Sequence, residues 1–71
     1  MTNAETEYML LKGYLETGNV PMVLQSFHRI LECIEYQSDK MAIYESLVHG
    51  LQRIGQSELA DKYRKQGLSQ N

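Results

Sequence analysis

Apolar residues recur along this chain at helical spacing, in four blocks separated by short polar breaks. In the first block Tyr8, Leu11 and Leu15 form one stripe, widened by Leu10 and Tyr14. The spacing predicts a helix over about 4–17, with Thr2 and Glu5 as a capping box and Gly18-Asn19 as its stop. The second block carries Val23, Leu24, Phe27, Ile30, Leu31 and Ile34, the widest apolar face of the chain, and predicts a helix over about 20–36. Asn19 is its expected N-cap, and Pro21 fits the first turn, where a missing N–H leaves nothing unpaired. The third block, Met41, Tyr44, Leu47, Val48, Leu51 and Ile54, predicts a helix capped by Ser38 and ended by Gly55. The fourth, with Leu59, Ala60 and Tyr63 inward, predicts a helix over about 58–66, capped by Ser57 and stopped by Gly67. No stretch alternates with the period of a strand. The expected fold is therefore all-α, with four short helices as two antiparallel helical hairpins in one small domain, residues 1–71.

The blocks also repeat. LLKGYLETGNVPMVLQSFHRIL and LVHGLQRIGQSELADKYRKQGL share a frame in which Gly18 falls on Gly55, a period of 37 residues. In that frame Leu10 matches Leu47, Leu11 matches Val48, Gly13 matches Gly50, Tyr14 matches Leu51 and Val23 matches Ala60. A period of this size is that of a helical-hairpin unit, which buries one face against a neighbour and offers another.

The spacing Leu10-Leu11, Tyr14, Gly18, Val23, Phe27, Ile30 resembles the tetratricopeptide-repeat family, and Leu47-Val48, Leu51, Gly55, Ala60 resembles a second unit of it. The likeness spans roughly residues 7–66. It departs from the family in its longer period, with the extra residues near 36–40, in the absence of a proline ending the second helix of each unit, and in Tyr63, which falls one residue short of the position matching Phe27. Two units are also fewer than stacked repeats usually need. The four helices thus form either a repeat-like stack or a plain four-helix bundle. The resemblance implies a concave face for an extended or helical peptide, lined by Tyr8, Leu11, Lys12 and Leu15 with Tyr44, Val48 and Leu51, and its sharpest version is a small secretion chaperone. A second stretch, LVHGLQRIGQSELADKY, resembles the last two helices of death-fold domains, which self-assemble, although the residues before it leave little room for the four helices that should precede it.

Size and charge narrow the function further. A core in 71 residues supplies only about 3–5 kcal/mol, so chains of this size often gain support from a disulfide, a metal or another subunit. The one cysteine, Cys33, excludes an internal disulfide and fits a reducing compartment, so a cytoplasmic location is expected. A second subunit or a partner chain is the expected supplement. The net charge of −2 gives no steering toward nucleic acid or an anionic membrane, and no apolar run reaches the length of a membrane span. The charge is unevenly placed: residues 1–35 hold five acids against Lys12 and Arg29, whereas the second half holds five bases against four acids.

Candidate chemistry is sparse. His28 with Glu32 and Glu45 with His49 are i,i+4 pairs that could meet around a metal, but such pairs are common on helix surfaces, and neither a metal nor a cofactor is expected. Cys33 has no histidine at a useful spacing to activate it and reads as a partly buried or interface thiol. GQSELADKY has the look of the opening of a helix-turn-helix, yet only four residues follow Gly67, too few for a recognition helix. No enzymatic activity is expected. Five tyrosines and four methionines point instead to protein contact, since both residues suit interfaces. Tyr8, Met9, Met22, Cys33 and Tyr36 are the expected exposed contact residues, beside the Leu11, Lys12, Leu15 and Tyr44 of the family likeness. The expected function is an adaptor or small chaperone that masks a partner's helix or peptide, as a homodimer or hetero-complex. The alternative is a small regulator that inhibits an enzyme or transcription factor by direct binding, or a death-fold-like self-assembly module.

Overall fold

A computed structural model describes residues 3–68 of the chain. They form four helices and, among the described residues, no strand: α1 (Ala4–Thr17), α2 (Val20–Cys33), α3 (Gln37–Arg53) and α4 (Ser57–Gly67). The chain divides into two compact units, Met1–Glu35 and Tyr36–Asn71, each a hairpin of two packed helices.

In the first hairpin, α1 starts at Asn3. Its side-chain oxygen accepts from the N–H of Glu5 at 2.8 Å and of Thr6 at 3.4 Å, so it performs the capping expected of Thr2, which lies outside the described residues. Glu5 and Glu7 in the first turn oppose the positive end of the helix dipole. At the other end Gly18 adopts the left-handed conformation, φ 72°. The N–H of Gly18 donates to Leu15 and that of Asn19 to Tyr14, the paired bonds of a Schellman motif. Asn19 then turns cap for α2, its Oδ1 accepting from the N–H of Met22 at 3.4 Å. Val23, Phe27 and Ile30 of α2 close on Leu11 of α1, with Ser26 and Glu7 buried among the same helices. Each fully buried side chain of this kind contributes about 1.5–3 kcal/mol.

Helix α2 ends at Cys33, three residues before the expected end, because Ile34 is already extended (φ −101°, ψ 133°). A β-branched residue in that conformation carries the chain out of the helix. The second hairpin then begins earlier than expected. Gln37 is already helical and Asp39 and Lys40 both donate to the carbonyl of Tyr36. Ser38 therefore lies inside α3 and does not cap it. Ser57 likewise is the first residue of α4 rather than its cap, and neither helix has a side-chain cap bond.

The turns of the two hairpins repeat the same hydrogen bonds. Gly55 (φ 85°) donates to Gln52 and Gln56 donates to Leu51, matching Gly18 to Leu15 and Asn19 to Tyr14 at the period of the sequence frame. Ala60 donating to Gln56 matches Val23 donating to Asn19. The cores follow the same frame. Leu11 and Val48, Val23 and Ala60, Ser26 and Tyr63, and Ile30 and Gly67 are buried at corresponding positions. Tyr63 thus occupies the place of Ser26, one step along the buried face from that of Phe27, which explains its offset in the sequence.

Gly67 is the main correction to the sequence reading. It does not stop α4 in the left-handed conformation; it is the last helical residue, and buried. A Cβ there would overlap the Cγ and Cδ1 of Tyr44, whose ring fills the space over it. The corresponding positions in the first hairpin carry Ile30 and Glu7, so bulk has moved from the second helix of the hairpin to the first.

Candidate functional site

Helix α1 has two faces. Leu11 and Glu7 are buried, with Tyr14, Leu15, Tyr8 and Ala4 half-buried beside them, and this side packs on α2. The opposite side is built from Thr6, Met9, Leu10, Gly13 and Thr17, which fall within an arc of about 100° at 3.6 residues per turn. All five are exposed, Met9 at 69% and Leu10 at 41%. None carries a charge. Glu5, Lys12 and Glu16 form one margin of this seam and Tyr14 the other. Lys12 extends its ammonium over the ring of Tyr8, 5.6 Å from the centroid. Thr17 donates its hydroxyl to the carbonyl of Tyr14 at 3.1 Å, which meets its polar need within the helix and leaves its methyl as the group to pack.

Gly13 is the least expected residue of this seam. It sits in mid-helix, where glycine costs about 1 kcal/mol relative to alanine, and nothing lies within 4 Å of the place its Cβ would take. The hairpin itself makes no use of the missing side chain. On α3 the corresponding positions are Ile43, Ser46, Leu47, Gly50 and Ile54, and none of them is exposed. Leu47, the counterpart of Leu10, is fully buried.

The nine residues expected at a contact surface do not form one patch. Met9 and Lys12 are exposed on α1, Cys33 is exposed at the end of α2, and Tyr36 is 68% exposed where α3 begins. Tyr8, Leu15 and Met22 are half-buried in the first hairpin. Leu11 is a core residue at 2% exposure and offers no surface, and Val48 and Leu51 are buried in the same way. The reason is geometric: Tyr8, Leu11 and Leu15 share the stripe that packs on α2, so they cannot also be the open face of α1. Tyr44 is half-buried, with its ring committed to Gly67. Thr6, Leu10, Gly13 and Thr17 were not expected at the surface. The frame that pairs Leu10 with Leu47 placed both inward, and only the absence of charge at these positions marked them.

The polar groups offer little chemistry. Glu7 Oε1 and Ser26 Oγ are buried without a hydrogen-bond partner among the described residues, and the Arg29 guanidinium stands 3.9 Å from Glu7 Oε1, too far for a hydrogen bond. His28 and Glu32 lie on α2 and Glu45 and His49 on α3, all four exposed. Among the described residues no three His, Cys, Asp or Glu side chains gather as a metal would require, and no helix is long and apolar enough to cross a membrane. Arg64 pairs with Asp61 at 2.9 Å within α4.

One titration is coupled to the fold. Burial, and then the neighbouring Tyr44, push the Tyr63 phenol above its usual value. The neutral phenol is the form the folded hairpin favours. The stability it contributes is therefore complete below the ordinary tyrosine pKa of about 10 and is lost as pH rises through the higher folded value. Melting temperature is expected to fall as pH climbs above about 10, and Tyr63→Phe should make that fall shallower. Equal slopes in the two proteins would show that Tyr63 is not the group responsible.

Comparison with known proteins finds no matching family model, no matching curated protein and no matching solved structure.

Proposed function

We propose that the chain is a non-enzymatic protein-interaction module, an adaptor or small chaperone that covers a helix or peptide of another protein and works in the cytoplasm. The observation that carries this reading is the seam of Thr6, Met9, Leu10, Gly13 and Thr17, an uncharged and partly apolar face on a helix whose other side already holds its core. Exposed methionine and leucine beside a glycine form an adaptable surface with room for close approach. The two hairpins of one frame support the class suggested by the tetratricopeptide-like spacing, in which helical pairs present a face to a peptide. Acids at the margin, and the excess of acids in the first hairpin, favour a partner whose rim is basic.

The reading is tested by replacing Met9 and Leu10 together with aspartate. Both side chains are exposed, so helical circular dichroism is expected to remain within about 10% of the starting signal, since surface changes of this kind move stability by roughly 0.5 kcal/mol each. Proteins that co-purify stoichiometrically with the unmodified chain from its native cell should be lost. Retention of the same bound protein by the doubly substituted chain would remove the seam from the function.

A further inference from the structure

We infer that the open face of α1 receives α1 of a second copy of this chain, antiparallel and crossing at Gly13, to give a two-fold symmetric pair. The inference rests on the reading of that face as a contact surface and names its occupant. Three features point to a helix of this same sequence. The first is Gly13: an exposed mid-helix glycine that its own hairpin does not use is accounted for if another backbone passes close over it. Two copies crossing there oppose glycine to glycine, and the distance between helix axes falls with the size of the residues at the contact. The second is the fit of the flanking residues. About a two-fold at Gly13, position 9 stands opposite position 17, so Met9 of each copy lies against the outward Thr17 of the other, whose hydroxyl is already held by Tyr14.

The third is charge. In an antiparallel pair the same margins of the two helices face each other. That margin carries Glu5, Lys12 and Glu16. Position 16 of one copy falls opposite position 10 of the other, so Lys12 and Glu16 of opposite copies are offset by two residues along the axis, about 3 Å. That is within reach of two long side chains, and symmetry makes the pair twice. Lys12 is exposed and held only by its contact with Tyr8, so it can turn to a carboxylate. A parallel pair would instead set this margin against the uncharged margin of Tyr14 and Leu10 and lose both pairs. The face is small against the surface that stable interfaces bury, so the association expected is weak, with a dissociation constant between about 10 μM and 1 mM.

The experiment is sedimentation equilibrium of the full chain, with Cys33→Ser throughout to exclude disulfide-linked species, up to about 1 mM. Gly13→Leu should retain helical circular dichroism, because nothing occupies the space and leucine is the better helix former, yet weaken association at least about tenfold. Lys12→Glu and Glu16→Lys should each weaken it about threefold or more, and the double exchange Lys12→Glu/Glu16→Lys should restore it. A monomer at every concentration overturns the pairing, as does an oligomer indifferent to Gly13→Leu, or a double exchange no tighter than its parents. A monomer whose Met9 and Leu10 substitutions still abolish capture of another protein would overturn the self-pairing while leaving the contact face standing.

Discussion

Replacing Phe27 with alanine is expected to leave the chain largely unfolded at 25 °C. Phe27 is fully buried in the first hairpin, where Val23, Ile30 and Leu11 complete a core of few members. Truncating a buried phenylalanine costs about 3–5 kcal/mol, part of it lost transfer energy and part the cavity that neighbours cannot close. A chain of this length holds only about 4–10 kcal/mol in total, at the usual 0.05–0.15 kcal/mol per residue, and the first hairpin already carries Glu7 and Ser26 with buried oxygens that lack hydrogen bonds. The loss is therefore of the same size as the reserve. Thermal melting followed at 222 nm decides the matter: a fall of at least about 12 °C is expected, from roughly 4 °C per kcal/mol at the lower limit for a domain this small. A fall under about 5 °C would show that the core does not depend on Phe27. Phe27→Leu is the control, since an apolar replacement closer in volume should cost less than alanine.

The parts of this fold that were legible in the sequence are those decided by local chemistry. Gly18 and Asn19 were readable as stop and cap because a left-handed glycine followed by a side-chain acceptor needs only its nearest neighbours to be recognised. The repeat at Gly55 was readable for the same reason, and the matching turn hydrogen bonds follow from it. Wide apolar faces such as that of α2 were readable because Val23, Phe27 and Ile30 permit one burial direction only. The misreadings occur where two physical causes leave the same mark. Serine before a helix suggests a cap, but Ser38 and Ser57 lie one residue or more inside, where their hydroxyls have no N-terminal donor to meet. A helix with apolar residues on two sides, as α1 has, does not reveal which side is core. Leu11 was assigned to the contact surface and Leu10 to the interior, and burial reverses both. The deciding factor is α2, whose position no local rule encodes.

Gly67 is the clearest case of two causes with one mark, and its substitution carries the second large effect. Gly67→Ala is expected to destabilise the second hairpin by about 1–3 kcal/mol, the range for overpacking a filled core. The backbone of Gly67 is helical and would accept alanine, which by propensity alone should gain up to about 1 kcal/mol. Any net loss must therefore come from the Tyr44 ring, which the new methyl group would have to displace. Gly18 is the opposite case, with open space around its Cβ direction but a φ of 72° that disfavours side chains. The two glycines are separated by a double-mutant cycle. Tyr44→Ala removes the ring, and in that background Gly67→Ala should cost much less than it does alone, a coupling of at least about 1 kcal/mol between residues in contact. Equal costs in both backgrounds would mean that Gly67 ends the helix through its backbone after all. A coupling of the expected size would mean that the glycine is held there by the shape of an aromatic ring on the neighbouring helix, as the bulkier Ile30 is admitted at the same place in the first hairpin where that ring is replaced by Glu7.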